Sequence, residues 1–409
     1  LEARSKAGLP ANDSRNRNDA GYNKDLTVRL VFVTPYYFPE FEFGGPPKRL
    51  HAIAKALLKM GHNVRVVTFD SKMRSRYDSA VFDGVNVQFV PWIGTRSRQV
   101  PRRVADIRHE LNQADLVHGY GLYNLLVPLS ARLAVRRKKP FILEPMGMFV
   151  PRVRSVFSKR VYNATLTKWM MSKAAAVVAT SELEAEELRG ADHTTRVVVR
   201  RNGIDLEEFR NSPDRESARK RWHADETSQL VFYIGRISAK KNLIELVAAF
   251  AKTDRAKLII AGPVSEPRYR QKLISAIRES ARAKDIFLEG PVYGDDYRAA
   301  LAAADLFVLS SLNENFGNAA AEAVAANVPV LLTETCGVAP IIDRRAGLAV
   351  PLGVDHLADG LRRMLDPEFR RQMTARKEEA KKELSWNEPI RQTEELYRQI
   401  LNEHSAQKC

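Results

Sequence analysis

One alternation constrains this chain more than any other feature. The apolar run "VRLVFVTPYYFP" ends in proline and reads as a buried parallel strand. In "GGPPKRLHAIAKALLKMGH", Leu50, Ile53, Ala54, Leu57 and Leu58 recur at helical spacing and Gly61 stops the helix. "NVRVVTF" is strand-like again, which completes a right-handed βαβ unit. The pattern continues through "ADLVHGYG", "PFILEPMG" and "KAAAVVAT", with helical stretches between them, and "RVVVRRNGIDLEEF" closes this half. It restarts after a polar connector with "QLVFYIGR", "AKLIIAGP", "IFLEG", "DLFVLSS" and "VPVLLTE", again separated by helical periodicity. We therefore expect an α/β protein of two Rossmann-like, doubly wound domains facing a cleft.

The 409 residues suffice for two cores. The expected divisions are a disordered tail at 1–26, a first domain at 27–203, a second at 204–385, and a C-terminal helix and tail at 386–409. Cys336 and Cys409 are the only cysteines, so no disulfide framework is expected. The sequence has neither an apolar signal-like core near Leu1 nor an apolar run of membrane-spanning length, and a cytoplasmic setting is expected. Charge is unevenly spread: residues 27–203 hold 29 basic and 14 acidic side chains, whereas 204–409 hold 31 of each. An excess of +15 in one half fits an anionic partner or a solvated basic surface. No nucleic-acid motif accompanies it, and a basic nucleic-acid-binding protein is the alternative from another class.

Ligands of such folds bind at the C-terminal ends of the strands, and several residues fall there. Gly45 lies between the first strand and first helix, where a glycine lets a ligand approach the backbone and the helix start favours an anion. A tight turn before a proline-started helix explains the same pair, Gly44-Gly45, equally well. Arg236 and Lys241, in "GRISAKKN", can reach one diphosphate, although an isolated pair of this kind is more often solvated charge. In "SSLNENFGNAAAEAVAANVPV", Glu314 follows a strand, and Asn315, Phe316, Gly317 and Asn318 can present successive N–H groups to an anion. Glu322 lies near the start of the helix that follows. The two acids could hold hydroxyl groups at separate ends of a long ligand or act as a general acid/base pair; a helix-start acid beside a surface acid is the plain alternative. The chain has no Asp-X-Asp, no His/Cys cluster at metal spacing and no Gly-X-Gly-X-X-Gly, so no metal site is expected. His62, in "GH" before a strand, reads as structural.

In order, "GG", "RNGID", "GR…KKN", "AGP", "DLFVLSS" and "ENFGNAAAEAVAANVPV" resemble the retaining, nucleotide-sugar-dependent glycosyltransferases of the GT-B fold, family 4, across about residues 28–403. The resemblance implies that Glu314 contacts the donor sugar and Glu322 the ribose. It implies that Arg236 and Lys241 neutralise the diphosphate, helped by N–H groups of Phe316, Gly317 and Asn318, and that Gly45 approaches the same phosphates. Pro291 and Val292 would border the base, residues 202–205 would form the hinge, and the helix around Trp386 to Asn402 would cross back onto the first domain. The implied donor is a UDP- or GDP-hexose, with no cofactor and no metal, and a carboxylate nucleophile is not required. The implied acceptor is a glycan or lipid-linked molecule, as in surface-polysaccharide or glycolipid synthesis. A GT-B-fold epimerase or phosphorylase is the alternative within the same architecture. Family members often carry His-Gly where this chain has Met146-Gly147, so no histidine role carries over to that position. Met146 and His118, which ends a neighbouring strand, are the acceptor-side candidates, and a satisfied structural histidine is an equal expectation for His118. Frequent family glycines are replaced by Asn242 and Asn327, and asparagine tolerates positive φ. Finally, "PRVRSVFSKRVYNATLTKWMMSK" mixes Arg152, Arg154, Lys159 and Arg160 with Phe157 and Val161, a composition suited to an anionic membrane surface, although a helix packing on its own domain is an equal expectation.

Overall fold

The computed structural model describes residues 27–39, 45–70, 79–95, 98–150, 156–211, 213–222, 228–254 and 256–407. The expected tail at 1–26, together with Gly44, Arg152, Arg154 and Cys409, lies outside the described residues. The strands are β1 (Arg29–Thr34), β2 (Asn63–Phe69), β3 (Ser79–Phe82), β4 (Val85–Val90), β5 (Trp92–Thr95), β6 (Arg98–Pro101), β7 (Leu116–Tyr120), β8 (Phe141–Glu144), β9 (Ala176–Ala179) and β10 (Val197–Val199) in the first half. The second half contributes β11 (Gln229–Ile234), β12 (Ala256–Ala261), β13 (Ile286–Glu289), β14 (Leu306–Leu309), β15 (Val330–Thr333) and β16 (Gly347–Val350).

They form an eight-stranded sheet ordered β10-β9-β8-β7-β1-β2-β4-β3 and a six-stranded sheet ordered β13-β12-β11-β14-β15-β16. Both reverse direction beside their first strand, the arrangement that opens a crevice at the carboxyl ends of a parallel sheet. The central strands are covered on both faces by helices and are mostly apolar; β7, β8, β9, β14 and β15 are buried at every position, with His118, Glu144 and Thr333 as polar exceptions. Residues 79–101, for which the sequence pattern offered no element, supply antiparallel β3 at the sheet edge and a separate β5–β6 hairpin.

The halves are joined twice, side by side. The Ile204 N–H donates to the Leu384 carbonyl, and Ile204 bridges Ser385. At Gly203 a Cβ would lie 2.7 Å from the Trp386 Cα, so the two crossings pass closely. The terminal helix, Asn387–Ala406, then returns to the first domain, as expected. Its Ile390, Leu396, Tyr397 and Ile400 join the core formed by Leu30, Phe32, Leu50 and Ile53. His62 is buried as expected, accepting the Val28 N–H at 3.3 Å and lying 3.4 Å from Glu394 of this helix. The stretch 156–173 is helical with a π-helical middle, Asn163–Thr167.

Candidate active site

The second sheet builds most of the site. Lys241 ends a single 3-10 turn after β11, and its ammonium donates to the Glu314 carboxylate from the loop after β14. Burial tends to raise the Glu314 pKa, but Lys241, Lys240 and Arg236 outweigh it and hold the carboxyl below its usual range. Arg236, exposed just beyond β11, does not touch Glu314 and acts on it through its field. The turn is possible because Asn242 adopts φ 56; Asn327, after the alanine-rich helix, adopts φ 64, so both asparagines sit in the left-handed region favoured by glycine.

The loop carrying Glu314 is rigid within its own domain. Its N–H donates to Thr335 at 3.1 Å, its carbonyl accepts from Gly337 at 2.9 Å, and the Phe316 carbonyl accepts from Val338 at 2.8 Å. Gly317, φ 105, caps the helix Asn318–Ala325, so the first N–H groups of that helix have no intrahelical acceptor and face the strand ends. The alanines Ala320, Ala321, Ala323 and Ala325 are buried and bring the helix close to the sheet.

Glu322, one turn inside this helix, accepts from the Tyr297 hydroxyl and lies 3.8 Å from the Lys48 ammonium. Burial raises its pKa, an effect that Lys48 and Tyr297 oppose. Lys48 belongs to the first domain, on the helix Gly45–Lys59, and also pairs with Glu208 at 2.6 Å. The contact Lys48–Glu322 therefore places the start of the first domain's helix, with Gly45 as its first residue, opposite the helix start at Gly317. Pro291 is exposed and Val292 buried in the connection between β13 and the helix Gly294–Ala303 that carries Tyr297.

Asn315 is the second contact across the cleft. Its amide donates to the Thr180 hydroxyl, and its oxygen accepts from Ser181 at 2.6 Å. Met146 and Gly147 form a left-handed turn, φ 62 and 75, after β8, and a Cβ on Gly147 would meet the Asn315 amide nitrogen at 2.8 Å. His118 follows the expectation of a structural histidine and not that of an acceptor-side residue. It is 1% exposed, stacked on Tyr120 and hydrogen bonded to Tyr397 at 2.7 Å, so it anchors the terminal helix inside the domain. Next to it Glu144 accepts from Arg49 and Arg200, and Arg49 also reaches Asn202 of the hinge at 2.6 Å.

Thr180, Ser181, Glu184 and Tyr297 were not singled out from sequence. Their contacts at the cleft are with partners far along the chain, Asn315 for Thr180 and Ser181 and Gly147 for Glu184, and the local signal, Ser181 before the acidic helix start "ELEAEE", marks a helix cap and no more.

Residues 43–208 match "Glycosyltransferase Family 4" and residues 214–383 match "Glycosyl transferases group 1". A D-inositol 3-phosphate glycosyltransferase of Salinispora tropica is 31% identical over 93% of this chain and 86% of its own. The chain belongs to glycosyltransferase family 4. This glycosyltransferase is also 27% identical, over 65% of its length and 67% of the relative's, to a GDP-mannose:cellobiosyl-diphosphopolyprenol alpha-mannosyltransferase of Xanthomonas oryzae. In fold it is similar to Anabaena HepE, solved with UDP and glucose: TM-score 0.72, 17% identity, covering 90% of this chain and 99% of that one. Its two parallel-sheet domains are thus the GT-B architecture.

Proposed function

We propose that this glycosyltransferase is a retaining enzyme that moves a hexose from a UDP- or GDP-hexose to a hydroxyl of a glycan or lipid-linked acceptor in surface polysaccharide or glycolipid synthesis. The observation that carries the reading is the meeting of Lys48 with Glu322 across the cleft. It sets the helix start at Gly45 opposite the helix start at Gly317, with Lys241, Glu314 and Arg236 beside them. A diphosphate in that gap meets two helix starts and two cations, so charge developing on the leaving group is stabilised by the chain's own residues, with no metal and no cofactor. Glu314 then holds the sugar and Glu322 the ribose. Retention follows from attack on the face that the diphosphate leaves, with the departing phosphate taking the acceptor proton. The relative that uses GDP-mannose and a polyprenol-linked acceptor, and the fold neighbour solved with UDP, support these substrate classes.

Calorimetric titration with UDP and GDP tests the donor site. Glu322→Ala removes a carboxylate that can accept two ribose hydroxyls, and hydrogen bonds to a charged acceptor contribute about 1.5 kcal/mol or more each. The nucleotide that binds the parent is expected to bind the variant more weakly by roughly a hundredfold or more. Equal affinity in parent and variant sinks the assignment of Glu322.

The peripheral membrane reading rests on one surface. Phe157 is 81% and Val161 49% exposed on the helix Val156–Tyr162, beside Lys159 and Arg160. Among the described residues no helix is long and apolar enough to cross a membrane. Sedimentation with phosphatidylglycerol vesicles is expected to pull down the parent at low salt. Substituting Lys159 and Arg160 with glutamine should weaken binding by about thirtyfold, at about 1 kcal/mol per basic residue near the surface. No binding of the parent at low salt removes this reading.

A further inference from the structure

We infer that Asn315, Thr180 and Glu184 form a hydrogen-bonded latch that sets the closed orientation of the two domains and carries the Met146–Gly147 turn to Glu314. The inference deepens the proposed donor site and rests on Glu314 serving it.

Three observations carry the latch. First, its hydrogen bonds run in one direction only. The Glu184 carboxylate accepts from the Gly147 N–H on one oxygen, and from the Thr180 N–H and hydroxyl, each at 2.8 Å, on the other. The Thr180 proton is thereby committed, so toward the second domain its oxygen can only accept, and the Asn315 amide supplies the donor. The Asn315 oxygen in turn receives the Ser181 hydroxyl at 2.6 Å, while Ser181 accepts the Glu184 N–H at 3.2 Å. Only an uncharged amide, with a donor on one side and an acceptor on the other, completes this chain.

Second, both ends of the latch are anchored. Gly337 packs so closely that a Cβ would lie 2.1 Å from the Asn315 carbonyl, and Glu314 is tied on both its N–H and its carbonyl. On the other side, Glu184 is buried (1% exposed) and grips the backbone of Gly147. Asn315 therefore does not shape its own loop. It transmits the position of one domain to the other, and Glu314 is the adjacent residue. Third, no room is left at the contact: Gly147 has no space for a Cβ on its Asn315 side and holds φ 75. The turn bearing Met146 thus meets the Glu314 loop in the closed orientation.

These are positioning residues, and the test separates positioning from folding and from donor binding. Asn315→Asp keeps the shape but turns a carboxylate oxygen toward a Thr180 oxygen that has no proton to give. Thr180→Val removes that oxygen, and Thr180→Ser restores it. Small-angle X-ray scattering of the full chain reads the domain orientation directly. Asn315→Asp and Thr180→Val are expected to raise the radius of gyration relative to the parent and to Thr180→Ser while still unfolding cooperatively. Thr180→Val also loses the buried hydroxyl bond to Glu184, so its melting temperature falls modestly, whereas Thr180→Ser keeps the parent's. Turnover of UDP-glucose or GDP-mannose, whichever the parent consumes, should fall roughly tenfold to a hundredfold in kcat in both variants, and the affinity for free UDP or GDP is expected to stay unchanged in Thr180→Val, whose side chain lies on the first domain outside the proposed donor site. Scattering curves identical to the parent's overturn the latch, as does altered scattering with parental kcat. If scattering shifts and the parent binds neither UDP nor GDP, the latch stands and the donor-site reading fails.

Discussion

Lys241→Ala is expected to lower kcat by about 10²–10³-fold, the range seen when one preorganised donor to developing negative charge is removed. The ammonium has two tasks in this site. It faces the position proposed for the diphosphate, and it compensates the partly buried Glu314 carboxylate. Without it, the burial that already pushes Glu314 upward meets only Lys240 and Arg236 in opposition, so its pKa rises. The sign of the pH dependence follows. In the parent, Glu314 titrates below its ordinary 4.5, so its stabilising ion pair is complete above pH 4.5 and is lost as pH falls through the depressed folded value. In Lys241→Ala the acid limb of the pH–rate profile moves to higher pH. The stability deficit, about 1–2 kcal/mol after allowance for solvent access, is largest near neutrality and shrinks in acid. Pre-steady-state turnover across pH, beside melting curves at the same pH values, measures both. An unshifted acid limb would show that Glu314 is not the group reporting.

Gly262→Ala is expected to damage the second domain more than any surface change. Gly262 follows β12 at φ 151, and a Cβ there would lie 1.9 Å from the Gly235 carbonyl oxygen and 2.7 Å from its carbon. These are backbone atoms at the ends of two paired strands, so no side-chain rotation relieves the contact. The loops must separate, and Gly235 immediately precedes Arg236. Strain and overpacking of this kind cost about 4 kcal/mol or more, which corresponds to a fall in Tm on the order of 10 °C for a domain of this size. Denaturant unfolding followed by circular dichroism should show the loss. Gly290→Ala is the control, because no atom lies within 4 Å of its added Cβ, and its effect should stay within about 1 kcal/mol. Equal stabilities of the two variants would contradict the close approach.

Much of the site was legible because its parts are local. A strand that ends in "SS" places Glu314 at the carboxyl edge, and helical periodicity places Glu322 one turn inside the next helix. Asn242 and Asn327 could be read as left-handed positions because the requirement belongs to their own backbone. His118 shows the limit. Its position at a strand end suggested the acceptor side, yet the strand is covered there by a helix from the far end of the chain, and Tyr397, 279 residues away, takes its ring nitrogen.

The sequence by itself determined the two doubly wound domains, the order of the site segments and the family they resemble, since each depends on apolar periodicity and turn chemistry within short windows. Only the tertiary structure decided which side chains meet: Lys48 with Glu322, Tyr297 with Glu322, and Asn315 with Thr180, the last pair 135 residues apart. Tyr297–Glu322 depends on how two helices of the second domain pack, and the other two pairs on how the hinge orients one finished domain against the other. No short stretch of sequence encodes that orientation, because the contacts that fix it are spread over both domains and the terminal helix that returns to the first.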